Sequence, residues 1–597
     1  MDSSKGSSNG SPKKRLILIA AAIIMSLVLV SFLWGRRTLN YKPPESVLPF
    51  NNIDSANSTQ PSKEEPSTHE SFINHTINCE LQVNGEVNGD KKNLSVVILG
   101  GMSQIGMQLA LSLSSLSSVT VLEDLLNVDS DPMKWDRWTE LVNNKHINAF
   151  IIEFKDEAKL QAELKKASPS TIIYVPTLLL HPVNLGPGNV THSASYGTII
   201  MKLFLRVIEV IRREFKSQLL FLSVGNKGND YKKLNFIYRQ WFQSLENVFN
   251  AYRNLHSEFS GSVIKLPPFI GEWRDLNAPL PVNGDNQWYI KDVIKVLENI
   301  IMSRNDKNCS FYSFDSPSAL SLKRTKYSDA IRHIRKWEEK YTSDLRASRN
   351  FTIGAYFSHL TDNFYHRKVL NNRFSYMQKW IKSSYKFGLQ SVIFHDNLHP
   401  MFVERIIEKF NNPKPIFLKV KSRNKKSPND QRFYFVYEYL LRNKDVNMVM
   451  VNDVKDVEFL TDPALIMKAI GDYFYVGKDT GFILYTNSIQ RRDFQKCYAN
   501  GNAWMIEESM RLHGFLNVGV LGGTRASMLA SLAYFVHCLD RTSTDQCCCD
   551  MSIAQYIYHT VYFDQLFIGY PFNMAFKNGE PGPFGMAVKH KDTFEEI

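Results

Sequence analysis

A chain of 597 residues exceeds what one hydrophobic core organises, so two or more domains are expected. Hydrophobic content of 44% and charged content of 22% are those of a globular protein. The net charge of +12 is spread along the chain without a long basic block; with no RNA- or DNA-binding motif visible, this argues against a nucleic-acid partner.

The first strong signal is "KKRLILIAAAIIMSLVLVSFLWGRR". Leu16 to Trp34 is an uncharged run of 19 residues, which as a helix at ~1.5 Å per residue covers a ~30 Å hydrocarbon layer. The short preceding tail and the lack of a small-residue cleavage site favour an uncleaved signal anchor over a cleaved signal peptide. The expected order is a cytosolic tail (1–15), a transmembrane helix (16–34) and a lumenal body. Sequons at Asn57, Asn74, Asn93, Asn189, Asn308 and Asn350 all lie on the C-terminal side of the run. No pair of the seven cysteines has CxxC zinc spacing, so disulfides in an oxidising compartment are their expected use, with at least one thiol left over. Residues 35–92, rich in Pro, Ser, Asn, Glu and Gly, cannot bury a core and read as a flexible stem.

Two regions of alternating strand and helix patterns follow, expected as domains at 93–345 and 346–597. In the first, "LSVVILGGMSQIGMQLALSL" is a buried strand, a glycine turn and a helix start, the arrangement that brings backbone amides to a pyrophosphate. The strand "SVTVLED" ends in Glu123 and Asp124, near the spacing of a ribose-binding acid. "STIIYVPT", "SYGTIIMKLFLRVIEVI" and "QLLFLSVG" continue the alternation. From Leu94 to Trp273 the chain resembles the extended short-chain dehydrogenase/reductase family, the fold of nucleotide-sugar epimerases. The resemblance implies an NAD(P) site at Gly100, Gly101, Gly106 and Asp124.

Two departures stand out. Ser103 replaces the middle glycine of the family's turn, where its side chain is expected to crowd the cofactor. In "YRQWF" Tyr238 is present, but Phe242 occupies the place of the Lys that lowers the Tyr pKa. Tyr231, with Asn235 at the same offset, is no better. The expectation is a non-catalytic domain that either keeps a nucleotide or serves as a scaffold.

In the second region, "VMVNDVKDVEFLTDP" is an apolar strand that stops at Asp453, with Asp456 three residues on. Carboxylates at a strand end either hold a divalent metal that neutralises a departing diphosphate or serve as turn and cap residues. Three companions bear on the choice. "SPNDQRFYFVYEYLLRNKDVNMVMVNDVKDV" places Asp430 and Arg432 at the start of an amphipathic helix, the end suited to capping and anion binding. "GFLNVGVLGGTRASMLASLAYFV" reads as a strand, a Gly522-Gly523 turn and a helix, with Asn517 near the turn. "GMAVKHK" offers His590 between Lys589 and Lys591.

Together these resemble a GT-A-fold glycosyltransferase of the Golgi type, over Asn350 to Lys591. The resemblance implies Asp453, Asp456 and His590 as ligands of Mn²⁺ or Mg²⁺, and Arg432 and Lys591 as donor-binding cations. It implies Asp550, at the head of "DMSIAQYIYHTVY", as a catalytic base or else an N-cap, with Glu507 and Glu508 as further candidates. The fold class expected is α/β: a transmembrane helix and stem, a Rossmann-like doubly wound domain, then a GT-A-like domain. The function implied is metal-dependent sugar transfer from a nucleotide-sugar donor to a glycan or glycoconjugate acceptor, in the Golgi or endoplasmic reticulum membrane. A nucleotide-sugar epimerase or dehydratase, and a non-catalytic lumenal adaptor, are the alternatives.

Overall fold

The computed structural model of the chain describes residues 78–79, 94–176, 190–224, 236–274, 287–303, 311–314, 324–358, 371–421, 426–482, 495, 497, 513–542, 549–573 and 586–590. The expected membrane span, the stem, Lys591, Tyr231, Glu507, Glu508 and every sequon except Asn350 lie outside these residues. Among the described residues no helix is long and apolar enough to cross a membrane.

Two sheets dominate, both within the compact unit His75–Ile597. The first contains β1 (Asn78–Cys79), β2 (Ser95–Leu99), β3 (Ser118–Asp124), β4 (Ile147–Ile152), β5 (Thr171–Tyr174), β6 (Gln218–Val224) and β7 (Gly261–Leu266). A small ribbon of β8 (Phe269–Ile270) and β9 (Trp288–Tyr289) precedes its last strand, β10 (Phe311–Ser313). The order is β1-β10-β7-β6-β5-β2-β3-β4, and every pair is parallel. From β2 the chain winds outward to β4 and then returns past β2 to β5. That reversal is the doubly wound topology read from the alternating pattern.

The second sheet contains β11 (Arg349–Tyr356), β12 (Gln390–His395), β13 (Ile416–Lys419), β14 (Val446–Asn452), β16 (Phe474–Phe482), β17 (Gly514–Thr524) and β18 (Leu566–Ile568). Its order is β13-β12-β11-β14-β17-β16-β18. The four strands from β13 to β14 are parallel, whereas β17 runs antiparallel to both β14 and β16. A separate antiparallel ribbon joins β15 (Val457–Phe459) to β19 (Val588–His590). Strand β14 is an apolar run whose last four residues are buried. The helix Pro428–Arg442 before it starts where expected, with Pro428 in its first turn and the Ser427 side chain accepting from Asp430 N, a favoured N-terminus.

One expectation fails. Gly522 and Gly523 form no turn: β17 runs through them, opposite Met450 and Val449, and ends only at Thr524, whose side chain caps the next helix. The glycine at 522 answers to crowding instead, since a Cβ there would lie 2.6 Å from Met450 Sδ.

The two sheets are not independently packed. One hydrophobic cluster runs from Val121, Trp135 and Trp138 of the first to Phe433, Leu529 and Phe535 of the second. The helix Pro132–Asn143 packs against the helices Pro428–Arg442 and Arg525–Arg541. Polar contacts seal this joint. Buried Arg525 donates to Asp136 Oδ1 at 2.8 Å, Leu440 O at 3.0 Å and Thr139 Oγ1 at 2.5 Å, and Tyr341 OH also donates to Asp136. Glu153, just past β4, faces His537 at 3.2 Å and Arg541 at 2.7 Å. Burial raises the Glu153 carboxyl, but His537, Lys155 and Arg541 outweigh it and hold it down at about 2.

Removing one partner of a buried ion pair costs roughly 3–5 kcal/mol. Asp136→Asn is therefore expected to lower urea-unfolding stability by about 3 kcal/mol or more, with fluorescence and circular dichroism moving together because both sheets share the loss. A depressed carboxyl stabilises above its unfolded pKa and stops doing so as pH falls through its folded value. Glu153→Gln should thus lower Tm at pH 7, and the gap to wild type should close between the ordinary Glu range near 4.5 and pH 2.

Candidate metal centre

Asp453 follows directly on β14, and its backbone N–H donates to Gly519 O at 3.0 Å. Asp456 stands one residue before β15, and the β15–β19 register sets His590 opposite Val457. Residues 453, 456 and 590 therefore meet at the C-terminal edge of the second sheet. One ligand atom from each lies within 4.8 Å of the others. His590 Nε2 is 3.8 Å from both Asp453 Oδ2 and Asp456 Oδ1. Bonds of about 2.1 Å put adjacent ligand atoms about 3 Å apart and opposed ones about 4.2 Å apart, so the spacing suits one ion. The His590 side chain is 1% exposed, but Asp453 is 39% and Asp456 23% exposed. The cluster thus has a closed back and an open front, as a catalytic rather than a structural metal site requires.

The strongest sign of a built cradle is Gly519. A Cβ there would lie 2.3 Å from His590 Cε1 and 2.7 Å from both Asp453 Oδ2 and His590 Nε2. Any side chain would fill the space among the ligands. Gly519 sits in an irregular stretch of β17: Val476 of β16 pairs with Leu521, yet the next residue, Gly477, pairs with Asn517. Such bulges re-aim a strand beside a functional site. Asn517 shapes this one, its Oδ1 accepting from Gly519 N at 2.9 Å and its Nδ2 donating to Asp479 at 3.1 Å.

Behind the acids lies Arg432, 6% exposed, the fifth residue of its helix. It donates to Asp453 Oδ1, to Val518 O at 3.2 Å and to Asp550 Oδ2 at 3.4 Å. Burial would lower its pKa, but the charges of Asp453 and then Asp550 outweigh that and keep it cationic. Its buried Nε has no hydrogen-bond partner among the described residues. Asp550 is the first residue of the helix Asp550–Tyr556 and is 3% exposed. Asp430 holds that helix start, accepting from Cys549 N at 3.2 Å and Asp550 N at 2.9 Å; burial and then the Asp550 charge push its carboxyl up. Cys549 is disulfide-bonded to Cys497, and Cys538 is a free thiol. Lys589 stands opposite Glu458 in the ribbon.

Gly519, Asp430 as a clamp and the Cys497–Cys549 bond were not read from the sequence. All three depend on contacts distant in sequence.

In the first sheet, Gly100 has φ +101°, a conformation that favours glycine; Gly101 is buried beside it, and Gly106 is buried in the helix Gln104–Leu113 that follows. Ser103 does not crowd a cofactor. Its side chain turns inward, accepting from Gly106 N at 2.9 Å and donating to Gly100 O at 2.8 Å, as an N-cap. Glu123 accepts from Met102 N at 2.7 Å, and burial pushes its carboxyl up to about 7. Asp124 accepts from Phe154 N at 3.2 Å and Leu126 N at 3.3 Å; burial raises it to about 6. The turn has a dinucleotide fold's shape, and the predicted ribose-binding acid turns one oxygen, Oδ1, to both backbone amides. Tyr238 and Phe242 share the helix Phe236–Leu255, and Phe242, one turn after the Tyr, is buried. No step is assigned to this set.

No protein-family model matches the chain, and no curated protein matches it. Among solved structures, the UDP-N-acetylglucosamine 4-epimerase of Methanobrevibacter ruminantium, in complex with UDP-N-acetylmuramic acid, is 17% identical with a TM-score of 0.30. The UDP-glucose-4-epimerase of Stenotrophomonas maltophila, with bound NAD and formylated UDP-arabinopyranose, is 12% identical with a TM-score of 0.33. The UDP-glucuronic acid 4-epimerase of Bacillus cereus, with UDP-glucuronic acid and NAD, is 12% identical with a TM-score of 0.30. Each covers 42% of this chain and 99% of its own. Likenesses at these scores transfer neither activity nor cofactor.

Filling the space at residue 519 tests the cradle. Gly519→Ala should weaken Mn²⁺ binding about tenfold or more, since one misplaced ligand of three costs at least ~1.4 kcal/mol. Isothermal titration alongside a thermal melt would read it, and unchanged affinity in a folded variant would refute the cradle.

Proposed function

We propose that the chain is a glycosyltransferase, moving a sugar from a nucleotide-sugar donor to a glycan or glycoconjugate acceptor with help from a divalent cation. The observation that carries this reading is the convergence of Asp453, Asp456 and His590 on one edge, around a glycine whose Cβ would block them. Mn²⁺ or Mg²⁺ held there would neutralise the leaving diphosphate. The protein's own part follows from its charges. Asp453, Asp456 and Asp550 outnumber the single guanidinium among them, which suits the cluster to a dication. Arg432, buried behind the acids, holds Asp453 and offsets part of the carboxylate charge. Asp550, expected as a base, instead spends Oδ1 on Met551 N at 2.8 Å and Oδ2 on Arg432. We assign it the holding of Arg432 rather than proton abstraction. The first sheet serves in this reading as scaffold.

A second reading, an epimerase acting from the first sheet, is favoured by the doubly wound parallel order and the glycine turn at Gly100. It lacks the Tyr–Lys pair. One experiment separates the two: a panel of nucleotide sugars incubated with the full chain, with Mn²⁺ or with NAD. Slow metal-dependent donor hydrolysis is expected, and it should fall about a hundredfold or more in Asp453→Asn and Asp456→Asn, the loss of roughly 3 kcal/mol of charge stabilisation. His590→Ala should raise the Mn²⁺ requirement. Equal turnover in all variants would make the acids turn residues; an epimerised donor lost in Tyr238→Phe would establish the second reading.

We also propose a single-pass membrane protein with the body in the Golgi or endoplasmic reticulum lumen. The run at 16–34 and the sequons motivate this, and the Cys497–Cys549 disulfide is in keeping with an oxidising compartment. Endoglycosidase treatment should shift the mobility of the protein. No shift, with the body open to protease in intact microsomes, would reverse the topology.

A further inference from the structure

The two carboxylate oxygens of Asp453 face different neighbours. Oδ2 lies toward His590 Nε2, at 3.8 Å, whereas Oδ1 accepts from the Arg432 guanidinium. Arg432 cannot easily let go, because Val518 O and Asp550 Oδ2 hold its other amino group. Asp550 is fixed in turn. Asp430, 1% exposed, takes the backbone N–H of Asp550 on Oδ1 and that of Cys549 on Oδ2, and Cys549 is bolted to Cys497. A buried sequence of contacts therefore runs from the disulfide to the metal edge.

We propose that this sequence, Asp430 to Asp550 to Arg432, closed by the Cys497–Cys549 disulfide, restricts Asp453 to one-oxygen coordination and makes Arg432 the residue that selects small six-coordinate divalent ions. The inference rests on the metal centre proposed above and concerns which ion that centre accepts. Ca²⁺ takes six to eight oxygens and often draws both from one carboxylate, whereas Mg²⁺ and ions like it require near-octahedral geometry with single oxygens. An Asp453 whose Oδ1 is shared with the guanidinium is a poorer two-oxygen chelator than a free carboxylate. The nearby guanidinium also repels every dication, so Arg432 lowers affinity overall while it sharpens the choice. Asp430 and the disulfide are positioning elements: they touch neither ion nor substrate, and act by keeping Asp550 where Arg432 needs it.

The test is the ratio of Mn²⁺ to Ca²⁺ affinity, measured by titration calorimetry on the full chain, with thermal melts. Arg432→Gln alone strands Asp550 as a buried charge and endangers folding, so Arg432→Gln is combined with Asp550→Asn, which removes both charges together. Wild type should prefer Mn²⁺. The double variant should lose about tenfold of that preference, chiefly by tighter Ca²⁺ binding, as a freed second oxygen allows. Cys497→Ser, which alters no charge, should move the ratio in the same direction by a smaller factor. A cooperatively melting double variant that binds Mn²⁺ with an unchanged ratio would overturn the inference alone. Wild type that binds neither ion would overturn the metal centre and the inference with it.

Discussion

Arg432 brings a full positive charge into a place where it is 6% exposed, and a buried charge must be matched on the spot. Much of the second sheet's upper edge is arranged around that requirement. Strand β14 delivers Asp453 to one side of the guanidinium, β17 delivers the carbonyl of Val518, and the short helix after Cys549 delivers Asp550. The excess of carboxylate over guanidinium that remains faces outward beside His590. The proposed cation site thus stands beside a buried cation of the protein's own.

The same logic joins the two sheets. Arg525 opens the helix that follows β17 and is satisfied by Asp136, Thr139 and Leu440. The far end of that helix reaches Glu153 through His537 and Arg541. Its two ends are therefore pinned to the first sheet, and its first residue continues the strand that carries Gly519. The doubly wound sheet is thereby tied to the helix that follows the strand carrying Gly519.

Patterns local in sequence were legible, and contacts distant in sequence were not. The strand-turn-helix at Ser95 to Leu113 and the acid-tipped strand before Asp453 follow from runs of apolar residues and their terminators, so both were readable. The pairing of Gly522 and Gly523 misled because adjacent glycines usually mark turns. Here one answers to the sulfur of Met450 on the neighbouring strand, which no local pattern reveals. Gly519 escaped for the same reason: its meaning lies in His590, brought in by β19. Ser103 shows the converse, a residue judged by what it would do to a cofactor when its hydroxyl caps its own helix. Side-chain direction is the information a motif lacks.

The ribbon of β15 and β19 has a further consequence, for folding kinetics. It pairs Val457 with His590, residues separated by β16, β17, β18 and the helices among them. Closing so long a loop costs entropy that is recovered only once the intervening strands are in place. Loop-closure entropy alone predicts that Asp453 and Asp456 come together early and His590 late. An ion captured by all three ligands would accordingly mark a chain whose second sheet is already complete, and would bind partly folded species only through the two acids.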